Sequence, residues 1–139
     1  MPSSAVAYVV ANGGITTEAA YPYTAVDGTC NTNVTLVFDP SPSVAVPNTV
    51  AAFTAALNIQ PISIAVDASK WSSYKSGVFH NCSSSPSKLD HAVVLVGYES
   101  NGDWIVRNSW GTSWGNAGYI TLKKGNTCGL LNYGIITGV

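Results

Sequence analysis

Apolar positions follow two different rhythms along the chain. From Ser4 to Asn12 a short apolar stretch has helical potential, and the pair Gly13-Gly14 supplies a stop signal. "TEAAYPY" and "AVDGTCNTN" then read as turn-rich, irregular chain. "VFDPSPSVAVPN" carries Pro40, Pro42 and Pro47, which suit a linker or a strand edge better than a helix. Asn48 is placed to cap a helix from Thr49 to about Asn58, with Val50, Phe53, Ala56 and Leu57 at helical spacing. After Pro61 the rhythm changes. "ISIAV", "AVVLVGY", "DWIVRNSW", "GYITLKK" and "YGIITGV" are short runs rich in β-branched and aromatic residues, separated by turn signals. So many short strands predict an antiparallel, partly closed barrel or sandwich. The expectation is an α+β chain: residues 1–40 an incomplete helical part with a crossover, residues 41–139 one β-rich domain.

Composition narrows the function. The 139 residues are 46% hydrophobic and only 9% charged, which excludes a disordered or highly solvated tail. A net charge of -1 leaves no basic footprint for nucleic acid or an anionic membrane. Apolar runs such as Ala5 to Ala11 and Ala92 to Tyr98 fall far short of the roughly 20 residues that span a bilayer. No cationic segment precedes an apolar one at Met1, so no signal peptide is read there. Cys30, Cys82 and Cys128 make an odd count, which implies a free thiol or a bond to another chain. Their spacing fits no zinc site, and neither metal nor cofactor is expected. Asn33 in "NVT" and Asn81 in "NCS" are glycan acceptors if the protein is secretory.

The candidate chemistry lies between Leu89 and Tyr119. His91 opens the strand "HAVVLVGY", and Asn108 stands near the end of "DWIVRNSW". With a loop at Glu99 to Gly102, Tyr98 faces Asp103 and Val93 faces Asn108, making His91 and Asn108 diagonal neighbours. A tighter turn on Asn101-Gly102 instead sets Asn108 opposite Leu95. An asparagine beside a histidine can accept from one ring nitrogen, fix the tautomer and aim the other nitrogen at a nucleophile. A thiol nucleophile suits such a pair, because the imidazolium stabilises the thiolate without a carboxylate. Asp90 adjoins His91, but strand alternation points it to the other face. His80 reads as a surface residue, and Trp104, Trp110 and Trp114 taken singly read as packing.

Taken as one string, these residues resemble the C-terminal part of a papain-like cysteine peptidase. "LDHAVVLVGY" is similar to the family's histidine motif, and "VRNSWGTSWGNAGYI" to its asparagine motif. "GGITTEAAYPYTAVDGTC" resembles the segment joining the family's helical left domain to its right domain. "NIQPISIAVDASKWSSYKSGVF" resembles the first right-domain strand and its loop, and "CGLLNYGI" the closing strand. The resemblance implies a papain-like fold with a barrel-like right domain and only the tail of the left one. It implies His91 as general base, Asn108 as its orienter and Trp110 as the ring shielding their hydrogen bond. It further implies a Cys82–Cys128 disulfide, and places Ala65, Leu89 and Tyr133 near the pocket for the second residue before the cut. A secreted or lysosomal/vacuolar location and peptide substrates follow from the same resemblance.

The nucleophile is the missing element. Papain-type enzymes carry it about 130–150 residues before the histidine, whereas His91 has 90 residues before it. Neither Cys30 in "DGTCNTN" nor Cys82, nine residues before His91, has the expected context, and Gln60 does not fit the family's oxyanion glutamine. The resemblance therefore implies an N-terminal segment or a separate chain that carries the nucleophile. Cys30 pairs, in the family, with a left-domain cysteine, so it is left unpaired or interchain. Apolar surface bared by the absent domain also favours self-association. The rival reading is a non-catalytic homologue of the same fold acting as a binding or structural protein.

Overall fold

The computed structural model describes residues 1–138. The backbone divides into two units, Ser3–Ser43 with residues 137–138, and Val44–Ile136. In the first, helix α1 (Pro2–Ala11) carries proline in its opening turn, where a missing N–H leaves no bond unmade. Its end follows the glycine pair. Gly13 N–H donates to Val10 O at 3.1 Å and Gly14 N–H to Val9 O at 2.9 Å, with Gly13 at φ +78°. Only a residue without Cβ adopts that turn cheaply. No residue of α1 is buried. Beyond it, Ile15 pairs with Phe38 in an isolated bridge, and the chain between them is irregular.

Nearly all of the sheet lies in the second unit. Its strands are β1 (Ser43–Ala45), β2 (Ile62–Val66), β3 (Val78–Phe79), β4 (His91–Tyr98), β5 (Trp104–Arg107), β6 (Tyr119–Leu122) and β7 (Gly134–Thr137), with helix α2 (Val50–Leu57) between β1 and β2. They form one seven-stranded sheet in the order β1-β7-β2-β4-β5-β6-β3. Each of the five runs read as a strand contains one, β2, β4, β5, β6 or β7, and the proline-rich segment leads into the edge strand β1. The antiparallel expectation needs one correction: β3 runs parallel to β6. It reaches the sheet edge through the long 67–77 loop, not through a hairpin, so nothing forces it antiparallel. Alternation on β4 buries Val93 and Leu95 and leaves Ala92 and Val94 outside. Behind the sheet Phe53 of α2 packs with Ile62, Ile64, Leu95, Trp104 and Ile120, all fully buried. Each such side chain contributes about 1.5–3 kcal/mol.

The cap of α2 lies one residue later than expected. Thr49, in extended backbone, accepts from Ala52 N–H through Oγ1 at 3.1 Å. Thr49 N–H itself donates to Pro47 O at 2.7 Å, a tight turn that holds Asn48 outside the helix.

The Cys82–Cys128 disulfide closes with Cα atoms 5.0 Å apart, and Asp67 braces both sides of it. Asp67 N–H donates to Cys128 O at 2.8 Å. Its buried carboxylate accepts from Ser83 N–H and Ser69 Oγ, each at 2.6 Å, and from Ser69 N–H at 3.1 Å. Burial alone would raise this carboxyl, but the Ser69 and Ser83 donors, with Lys70 nearby, outweigh it and hold the group below the ordinary range. A depressed folded value stabilises the fold above the unfolded value near 3.9, and that stability is lost as pH falls through the folded value. Thermal melts from pH 6 to pH 2.5 should therefore fall steeply for the native chain at the acid end. Asp67→Asn should flatten that acid slope and cost about 1–3 kcal/mol near neutrality, because the brace loses its charge.

Candidate active site

β2 and β4 pair so that Val66 faces His91, and Asp90 N–H donates to Val66 O at 3.0 Å. Asp90 Oδ1 accepts from Ala68 N–H at 2.8 Å, which takes this carboxylate to the 67–70 loop and not to His91. The β4–β5 register is a compromise between the two hairpins the sequence allows. At the loop end Tyr98 faces Trp104, one step from the expected pairing with Asp103, because the loop runs through Asp103. The register then shifts between Leu95 and Gly97, so that Val94 faces Arg107. One further step along that register sets Val93 opposite Asn108, as the wider-loop reading requires. The extra β4 residue re-aims the strand end toward the asparagine.

His91 Nε2 and Asn108 Oδ1 lie 2.9 Å apart. Ser109 N–H meets the same Asn108 atom at 2.8 Å. A backbone N–H can only donate, so that atom is the amide oxygen and His91 Nε2 carries the hydrogen. Nδ1 keeps the lone pair and makes no hydrogen bond among the described residues, so it can take a proton from an incoming group. Asn108 is buried, and its own N–H donates to Gly118 O at 2.9 Å. The glycines after it permit this path. Gly115 sits at φ +56°, and a Cβ there would lie 2.6 Å from Tyr119 O.

An aromatic box surrounds the imidazole. Trp110 stacks on His91, centroids 5.1 Å apart and planes 27° from parallel, with 40% of the indole exposed. Trp71 meets His91 edge-on at 6.2 Å and Trp110 at 6.5 Å, and is itself fully buried. Trp114 stacks behind Trp71 at 6.1 Å and donates through Nε1 to Trp71 O at 3.1 Å. Sequence reading did not single out Trp71. It stands 20 residues before His91, inside the stretch that resembles the first right-domain strand and its loop, but only as one aromatic beside Tyr74 in a polar loop. Trp71→Ala should cost about 3–5 kcal/mol as a core truncation. It should also turn His91 from the Nε2–H form into a tautomer mixture by ¹⁵N NMR, whereas Trp71→Phe keeps both ring and tautomer.

The other expected site residues are distributed as follows. Ala65 is buried on β2, and its N–H donates to Tyr133 O at 3.3 Å, so these two are backbone neighbours. Leu89 is half-buried in a groove of about 510 Å³ with Asp67, Lys70, Ser83 and Asp90, which neither Ala65 nor Tyr133 lines. Cys30 is an exposed free thiol with Tyr8 Oη 3.8 Å from its sulfur. Asn33, His80 and Asn81 are exposed. Among the described residues no three His, Cys, Asp or Glu side chains cluster to hold a metal ion, and no helix is long and apolar enough to cross a membrane.

Comparison with known proteins identifies the family. The family described as papain family cysteine protease matches residues 1–137. Digestive cysteine proteinase 2 of Homarus americanus is 45% identical over 133 residues, covering 88% of this chain and 41% of that protein. Cathepsin L 2 of Paramecium tetraurelia is 42% identical over 121 residues, 87% of this chain and 38% of its own length. The chain thus spans about two fifths of the curated relatives it matches. The bromelain protease of Ananas comosus, solved with the E64 inhibitor, superposes with a TM-score of 0.87 at 38% identity over 97% of this chain and 67% of that one. A family match over residues 1–137, relatives more than 40% identical and a superposition at a TM-score of 0.87 agree: the chain belongs to the papain family of cysteine proteases.

Proposed function

We propose that this chain is the base-bearing part of a cysteine endopeptidase, and that polypeptide outside these residues supplies the thiol and the oxyanion donors. The observation that carries the reading is the 2.9 Å His91–Asn108 contact, with Ser109 N–H fixing the amide so that Nδ1 is the free base. In this mechanism Nδ1 takes the proton from the nucleophilic cysteine. The thiolate adds to the scissile carbonyl carbon, and the imidazolium returns its proton to the departing amine, leaving a thioester. His91 then takes a proton from water, hydroxide attacks the thioester, and the acid leaves as the thiol is restored. Asn108 holds the ring through both halves, and Trp110 keeps water from their hydrogen bond.

Within this chain Cys82 and Cys128 are joined to each other, so neither can serve as nucleophile. Ala65, Leu89 and Tyr133 border the subsite for the residue two before the cut. A disulfide and relatives named as digestive proteinases support a secreted or lysosomal/vacuolar location. Treating the native protein with a thiol-alkylating epoxide and mapping the adduct tests the reading. The label should fall on one cysteine outside residues 1–139 and abolish hydrolysis of a fluorogenic peptide. Labelling of Cys30 alone, or hydrolysis by the 139-residue chain by itself, would overturn the division of labour. Native material that neither labels nor cleaves belongs to a non-catalytic binding protein of this fold.

A further inference from the structure

We infer that Asn81 is an N-glycan acceptor whose modification competes with closure of the Cys82–Cys128 disulfide. The sequon Asn81-Cys82-Ser83 has one of the bridging cysteines at its centre. Asn81 is exposed in an irregular segment, the setting such sites need. Its side chain is already sorted by chemistry. Lys70 Nζ lies 3.3 Å from Oδ1 and can only donate, so the amide oxygen is held while Nδ2 has no partner among the described residues. Nδ2 is the atom that carries the sugar. It attacks C1 of an oligosaccharide on a polyisoprenoid pyrophosphate; the N–C1 bond forms, the C1–O bond to pyrophosphate breaks, the lipid pyrophosphate leaves, and the Nδ2 proton passes to a base. The folded chain can therefore carry a glycan here without breaking a contact of the acceptor nitrogen.

Acquiring the glycan is another matter, because the transferase must engage the asparagine and the hydroxyl two residues on in one pliable loop. After folding, each part of this sequon is tied. Cys82 N–H donates back to His80 O at 3.1 Å, which folds a tight turn around Asn81. Cys82 Sγ is bonded to Cys128. Ser83 N–H is held by the buried Asp67 carboxylate at 2.6 Å, and Ser83 Oγ accepts from Ser85 N–H at 3.1 Å. Asn33 has no comparable restraint: its N–H meets Asn31 Oδ1 at 3.0 Å in a local turn, and no cysteine lies within its sequon. The disulfide partner Cys128 lies 46 residues further along. Asn81 thus emerges and can be modified before closure becomes possible, and the two reactions race.

The proposal rests on the secretory routing proposed above, but a supplied secretion leader removes routing from the outcome. The full chain is expressed behind such a leader in eukaryotic cells, and occupancy is read by peptide mapping after peptide:N-glycosidase release in ¹⁸O water. The expected result is partial occupancy of Asn81, rising at least twofold in Cys128→Ser, lost in Ser83→Ala, with Asn33 unchanged by Cys128→Ser. Asn33 reports any change in residence time, so a parallel rise at both sites would overturn the competition. Equal Asn81 occupancy with and without Cys128 would overturn it as well. An Asn81 unmodified in every variant would overturn the site itself, and would leave the peptidase reading untouched.

Discussion

On the proposed function, His91→Ala in the complete protein should lower kcat/KM by about 10⁴-fold, and the rate of thiol alkylation should fall with it. Both losses have one cause. In the proposed mechanism the ring supplies both the base that draws the proton from the thiol and the cation that faces the resulting thiolate, and these act as a unit. A factor of 10⁴ is about 5.5 kcal/mol of transition-state stabilisation. Stability should change little by comparison, because His91 is half-buried at the first position of β4 and its strand pairing is made by the backbone. Asn108→Ala is expected to be milder, about 10²-fold, since the ring remains but its tautomer is no longer fixed. That variant should still be alkylated, only more slowly, and its ¹⁵N spectrum should show both tautomers of His91. A His91→Ala protein that keeps more than a hundredth of its activity would show that another base does this work.

The strands were legible because β-branched and aromatic residues crowd into short runs between turn signals, as in "ISIAV" and "DWIVRNSW". The His–Asn pair was legible because it lies on a hairpin, where neighbours in space are near in sequence. Its register was not. Either loop was acceptable by turn chemistry, and the outcome combines a longer loop with a shift near Val96 that no local propensity demands. Two other features depended on distant contacts. β3 is only Val78–Phe79, too short for an alternation signal, and its parallel pairing with β6 is decided at the sheet edge. Trp71 acquires its meaning from rings 20, 39 and 43 residues away, at His91, Trp110 and Trp114. The Asn48-versus-Thr49 cap turned on a single tight turn at Pro47, which composition alone does not distinguish.

Removing the Cys82–Cys128 bridge by a double alanine substitution should cost about 4 kcal/mol, from the entropy an unfolded chain regains when a loop of this length opens. For 139 residues that corresponds to a fall in Tm of about 14 °C. Other bonds join the same two segments in the folded chain and outlast the bridge. Asn132 Nδ2 donates to Ser84 O at 2.7 Å, and Asp67 links Ser83 to Cys128 through its side chain and its own N–H. Asp67→Ala and the disulfide deletion should therefore be non-additive by about 1 kcal/mol or more in a double-mutant cycle. The sign of that coupling tests the arrangement. If Asp67 and the bridge restrain the same motion, losing both costs more than the sum, since each alone leaves the other in place. The coupling should also fade as pH falls through the folded value of Asp67, because the protonated carboxyl holds Ser83 less strongly. At neutral pH His91 should keep its Nε2–H tautomer in all of these variants, because Asp90 anchors the start of β4 through Val66 and Ala68, independently of either cysteine.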